Sequence, residues 1–168
     1  RPVELVVVDN KSDKVEAANA VKRLAERDNV TAIIGTYASS LSLAGGEVAE
    51  RAKVPVLATS STNPLVTQGK KYYFRACFID PYQGKMAALF VKSKGFSKVA
   101  VIYAKDDDYS NGLKDAFVEN CEANGIEITY TGECMSTDTD FSSQAAQAVA
   151  SGAEFLYYPC FLDTVPLL

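Results

Sequence analysis

Two short turns carry most of the side chains that could do chemistry in this sequence. They are Gly35-Thr36-Tyr37-Ala38-Ser39-Ser40 and Ala58-Thr59-Ser60-Ser61-Thr62-Asn63-Pro64. Serine and threonine hydroxyls donate and accept hydrogen bonds and carry no charge at neutral pH. Beside the free backbone N–H groups of a helix start, they make a neutral cradle for a small anion such as a carboxylate. The same residue types also cap helices and form turns, so one such turn would imply little. Two of them, each directly after a short apolar segment (31–34 and 54–57), are expected side by side where the carboxyl ends of parallel strands form a crevice. The candidate ligand contacts are therefore Ser39, Ser40, Ser60, Ser61 and Thr62.

A third constellation is Asp106-Asp107-Asp108-Tyr109-Ser110-Asn111-Gly112. A hard cation needs six or more oxygens from a loop of defined spacing, and no calcium-loop spacing follows. A solvated loop is the simpler reading, with no metal. Tyr109 is either a loop aromatic or a ligand contact. The chain contains no histidine, which excludes a His-dependent triad and a His-ligated metal within it. Cys77, Cys121, Cys134 and Cys160 form no C-x-x-C pair, so zinc and thioredoxin-like chemistry lack a basis. Mostly free, buried thiols are expected. Tyr157-Tyr158 reads as sheet packing. Gly45-Gly46 interrupts a helical pattern at about 1 kcal/mol per glycine and suits close packing against a neighbouring element. No cofactor is implied.

The elements that must position these residues alternate. Residues 3–8 are a continuous apolar run that reads as a strand buried on both faces. Asp13 and Glu16 resemble a capping box, followed by Val15, Ala18, Val21, Leu24 and Ala25 at helical spacing. Strands are expected at 31–34, 54–57, 99–103, 126–130 and 155–158, with an extended stretch at 72–76. Helices are expected over 41–52, 81–94, a segment carrying Leu113, Phe117 and Cys121, and 141–150. Strand–helix alternation predicts an α/β fold with parallel sheets. It breaks once, between Leu57 and Val99, which reads as a crossing between two lobes.

The length of 168 residues fits one domain or two small lobes. Net charge is −4, from 17 basic and 21 acidic side chains, which argues against nucleic acid or an anionic membrane as partner. No apolar run approaches the ~18–20 residues of a membrane span. The chain opens on Arg1-Pro2 before an apolar run and closes on Val165-Pro166-Leu167-Leu168. Both ends read as internal to a larger protein.

The segments VELVVVDNKSD, AIIGTYASS, VPVLATSSTNP, YYFRACFIDPYQG, KVAVIYAKDDDYSNGL and FLYYP, in this order and spacing, resemble the type I periplasmic substrate-binding proteins of ABC transporters, in the branched-chain amino acid branch. The resemblance implies two Rossmann-like lobes with parallel sheets that close on a ligand, here incomplete at both ends. Residues 1–78 would be part of lobe one and 79–168 part of lobe two, with the first hinge crossing near 77–80. It further implies that Ser39 and Ser40, at a helix N-terminus, hold the α-carboxylate of an amino acid. Ser60, Ser61 and Thr62 would share carboxylate and ammonium contacts through backbone carbonyls and the Thr62 hydroxyl, and Tyr109 would close over the ligand. The family's acidic partner for the ammonium falls beyond position 168, and an early aromatic falls before position 1. Phe161 and Leu162 stand where some members have a tyrosine.

The function expected on this basis is an extracytoplasmic solute-binding protein, periplasmic or a cell-surface lipoprotein. It would deliver a small amino acid to an ABC permease. The same bilobed fold also serves as the ligand-sensing extracellular domain of receptors. An enzyme is disfavoured by the missing histidine and by the lack of a nucleophile-elbow pattern. No Arg or Lys is expected near this Ser/Thr cradle, which favours a carboxylate over a phosphate. The chain as given, with a strand missing from the middle of its first sheet, is expected to self-associate.

Overall fold

The computed structural model describes residues 2–168, and the chain forms two compact units, residues 1–79 and 80–168. The first is built on α1 (Lys14–Lys22), β1 (Ile33–Ile34), α2 (Ser39–Ala52), β2 (Val56–Ala58) and β3 (Tyr73–Arg75). The second contains α3 (Asp80–Ser93), β4 (Lys98–Ala104), α4 (Asp108–Ala123), β5 (Glu127–Cys134), α5 (Ser142–Ala150) and β6 (Phe155–Tyr157). Each unit is α/β with one parallel three-stranded sheet, in the order β1-β2-β3 and β5-β4-β6.

In the first unit, Asp13 starts α1 by accepting from the N–H groups of Val15 and Glu16 at 2.8 and 2.9 Å. The helix buries Ala17, Ala20 and Val21, whereas Val15, expected on that stripe, is exposed. The buried face is thus turned toward the small residues, which let α2 approach. A Cβ on Gly45 would meet Val21 Cγ2 at 2.8 Å, and one on Gly46 would meet Lys70 Nζ at 2.9 Å. The glycine pair therefore serves packing on α1 and on the Lys70 side chain. Val21, Val48, Ala49, Val56, Val66 and Tyr73 close the core.

The expected strand over residues 3–8 does not form. Residues 2–10 pair with no strand, and Val3, Leu5 and Val7 are 91%, 80% and 78% exposed. An apolar run is buried as a parallel strand only with neighbours along both edges and layers on both faces. The described residues supply none for this segment. Ile34, on β1 at the sheet margin, is exposed as well.

The second unit is centred on β4, whose residues Val99, Ala100, Val101 and Ile102 are fully buried. One face packs on α3 and α4 through Ala88, Val91, Phe117 and Cys121. The other packs on Cys134, Phe141 and Ala148. Helices α3 and α4 approach so closely that a Cβ on Gly84 would lie 2.6 Å from the Ala116 carbonyl carbon and 2.7 Å from the Phe117 nitrogen. Tyr157 stacks on Phe117 with ring centres 3.8 Å apart, and Tyr158 meets Phe141 edge-on at 5.9 Å. The tyrosine pair thus braces both faces of the sheet.

Candidate functional site

The parallel register Ile34↔Leu57 puts the turns after β1 and β2 next to each other at the carboxyl edge of the first sheet. Gly35 makes the first turn possible, at φ 135°, a conformation that L side chains rarely adopt. The two turns are then stitched by hydroxyls. Ser60 Oγ donates to the Tyr37 carbonyl at 2.9 Å. Ser61 Oγ donates to the same carbonyl at 3.2 Å and lies 2.6 Å from Ser42 Oγ. Ser42 Oγ lies 2.7 Å from Thr36 Oγ1, which donates onward to the Ala38 carbonyl at 3.3 Å. The phenol of Tyr73 abuts this chain. Burial pushes its pKa up, partly offset by Ser42 and Thr36. The hydroxyl chain ends on carbonyls and so orders the two turns.

Of the residues singled out from sequence, Ser39 and Ser40 occupy the first turn of α2 and are buried. The N-cap itself is Ala38, which makes no side-chain cap, so Ser39 is the first helical residue and not a cap. Ser39 Oγ accepts from the Asn63 N–H at 3.1 Å, leaving its own proton available. Ser61 and Thr62 are buried, and Ser60 is exposed. Thr62 is 6% exposed, and its hydroxyl has no hydrogen-bond partner. A buried hydroxyl without a partner costs about 1–3 kcal/mol, and native proteins rarely carry one without a reason.

Arg75 was missed as a site residue, and it corrects the expectation that no Arg or Lys stands near the cradle. The register Ala58↔Arg75 brings it to the turn after β2. Its Nη1 donates to the carbonyls of Ser61 at 2.9 Å and Asn63 at 2.7 Å. Its Nη2 donates to Thr67 Oγ1 at 2.7 Å. The guanidinium is thus engaged in holding the backbone on either side of Thr62. Ser42 was missed as well, and Thr36 and Asn63 were read only as parts of the two turns. The signal for Ser42 was a further hydroxyl on the mostly apolar helix of Ser39 and Ser40. The signal for Arg75 was its place at the end of a strand paired to β2.

In the second unit, the run 106–112 ties β4 to α4. Asp107 caps α4 by accepting from the Ser110 N–H at 3.0 Å. Asn111 Nδ2 donates to the carbonyls of Lys105 and Asp107 at 3.0 and 2.8 Å. Asp106 accepts from the N–H and hydroxyl of Ser136 at 2.8 and 2.7 Å. No cluster of potential metal ligands occurs among the described residues. Tyr109, in the first turn of α4, packs its ring on that of Phe161, with centres 5.5 Å apart. Position 161 thus keeps an aromatic beside Tyr109, while Leu162 is 82% exposed. Burial raises the pKa of Tyr157, and the nearby Tyr109 and Asp80 add to the rise.

The family profile described as periplasmic binding protein matches residues 1–165. An amino acid binding protein of Pseudomonas aeruginosa is 33% identical over 162 residues, which are 93% of this chain and 42% of that protein. Among solved structures, a leucine-binding protein from Thermotoga maritima is similar with a TM-score of 0.90 and 42% identity, over 92% of this chain and 44% of that one. A branched-chain amino acid transporter substrate-binding protein from Streptococcus pneumoniae, in complex with isoleucine, is similar with a TM-score of 0.85 and 29% identity, over the same shares. The chain spans less than half the length of each of these relatives.

Proposed function

Because the chain belongs to the periplasmic binding protein family, we propose that it captures a small amino acid, branched-chain or similar, and passes it to an ABC transporter permease outside the cytoplasm. The observation that carries this reading is the Thr62 hydroxyl. It is buried, lacks a partner, and belongs to the turn whose Asn63 N–H binds Ser39 at the start of α2. A ligand carboxylate would accept from Thr62 and from Ser39 at the start of α2. Ser40 shares that helix start, and Ser60 and Ser61 shape the facing turn. Tyr109 is assigned the covering role from the second unit. The two compact units are read as parts of two lobes, 1–78 and 79–168, hinged near 77–80. The names of the relatives, which bind amino acids including leucine and isoleucine, support the substrate class. The process is binding without turnover. Calorimetric titration of the purified protein with leucine, isoleucine and valine tests it. Saturable binding with the amino acid recovered unchanged is expected. No binding by any of the three, or consumption of the ligand, would overturn the reading.

A further inference from the structure

The Thr62 hydroxyl is buried and makes no hydrogen bond of its own, so its aim is set by the residues on either side of it. Arg75 holds the carbonyls of Ser61 and Asn63, and Ser39 Oγ accepts the Asn63 N–H. A further hold is the Ser61 side chain, whose Oγ meets Ser42 Oγ at 2.6 Å. Both serines are fully buried, so bulk water does not compete for that bond. Ser42 lies one turn into α2, three residues past Ser39. Its oxygen is also 2.7 Å from Thr36 Oγ1, in the turn before the helix. A serine has one proton to give and can also accept, so Ser42 donates to one of these oxygens and accepts from the other. It thus ties both turns to the helix that begins at Ser39. Alanine is the better helix former at such a position. The serine is accounted for by the contacts it makes outside the helix.

We propose that Ser42 is a positioning residue for the carboxylate cradle: through Ser61 it fixes the spacing between Thr62 and Ser39. The inference rests on the amino-acid reading above, in which those two hydroxyls take the ligand carboxylate. Ser42 itself acts through Ser61 and not on the ligand. Without the Ser42 hydroxyl, Ser61 loses its partner on α2. Its own hydroxyl can then turn wholly to the carbonyls of Tyr37 and Thr36, 3.2 and 3.4 Å away. Arg75 still holds the backbone on both sides of Thr62, so the turn stays folded while Thr62 loses its registration with Ser39. Hydrogen bonds weaken steeply as distance and angle depart from their optimum. The loss therefore falls on recognition of the carboxylate.

The test is calorimetry of leucine and of leucinamide, its neutral amide, with the unsubstituted protein, Ser42→Ala, Ser61→Ala and the double variant. Urea unfolding of each without ligand accompanies it. Ser42→Ala should weaken leucine binding by about fivefold to tenfold and leucinamide binding by less, so the ratio of the two affinities falls. Ser61→Ala should do the same. The double variant should be no worse than the more affected single one, because both substitutions break one contact. A merely structural serine would lower the urea midpoint and leave the ratio unchanged. That result, or losses that add in the double variant, would overturn the proposal. If Ser42→Ala does not fold, an unchanged ratio in Ser61→Ala overturns it equally. Failure of the unsubstituted protein to prefer leucine over leucinamide would instead refute the carboxylate reading, and this role with it.

Discussion

Thr62→Val should move stability and affinity in opposite directions. Valine keeps the shape of threonine and removes only the hydroxyl. In the ligand-free protein that hydroxyl is buried and lacks a partner, so removing it should stabilise the fold by up to about 1–3 kcal/mol, the cost of an unmade hydrogen bond. In the complex the same hydroxyl would meet a carboxylate, and a hydrogen bond to a charged group contributes about 1.5–3 kcal/mol. Affinity for leucine should then fall by roughly tenfold to a hundredfold. Urea unfolding without ligand gives the first quantity and calorimetry gives the second. A purely structural Thr62 would show destabilisation with unchanged affinity, and that pattern would refute the reasoning.

Three further outcomes follow from particular contacts. Arg75→Lys keeps the charge but loses the fork that grips the Ser61 and Asn63 carbonyls; it should weaken leucine binding by about tenfold or more, from a loss of about 1.5–3 kcal/mol, read by calorimetry. Gly84→Ala would press a methyl into the backbone of α4; overpacking of about 1–3 kcal/mol should outweigh the helix-propensity gain of about 1 kcal/mol, lowering the urea midpoint. Glu154 accepts from the Ser97 and Lys98 N–H groups, first Ser97 and then Lys98 holding its carboxyl below the usual range. Its stabilising share is therefore full above the ordinary carboxylate range and is lost as pH falls through the lowered value, so Glu154→Gln should flatten the acid side of the stability–pH curve.

Strand–helix alternation was legible because each element carries its own period and a start or stop signal: Asp13 caps α1, and Gly95 and Gly125 turn the chain after α3 and α4 at φ 80° and 72°. The hydroxyl turns were legible as turns for the same local reason. Residues 3–8 misled because composition records what a segment could bury, while burial needs strands alongside it. Arg75 and Ser42 were visible in the sequence only as residues of the right type, because their roles depend on register between β2 and β3 and on which side of α2 faces the turn.

The central claim is that the first-unit cradle recognises a carboxylate. The most direct measurement compares leucine with leucinamide, which keeps the side chain and ammonium and replaces the carboxylate by a neutral amide. Leucine should bind at least tenfold more tightly, about 1.4 kcal/mol, and Thr62→Val should shrink that ratio. Equal affinity for the two compounds, unchanged by the substitution, would contradict the account.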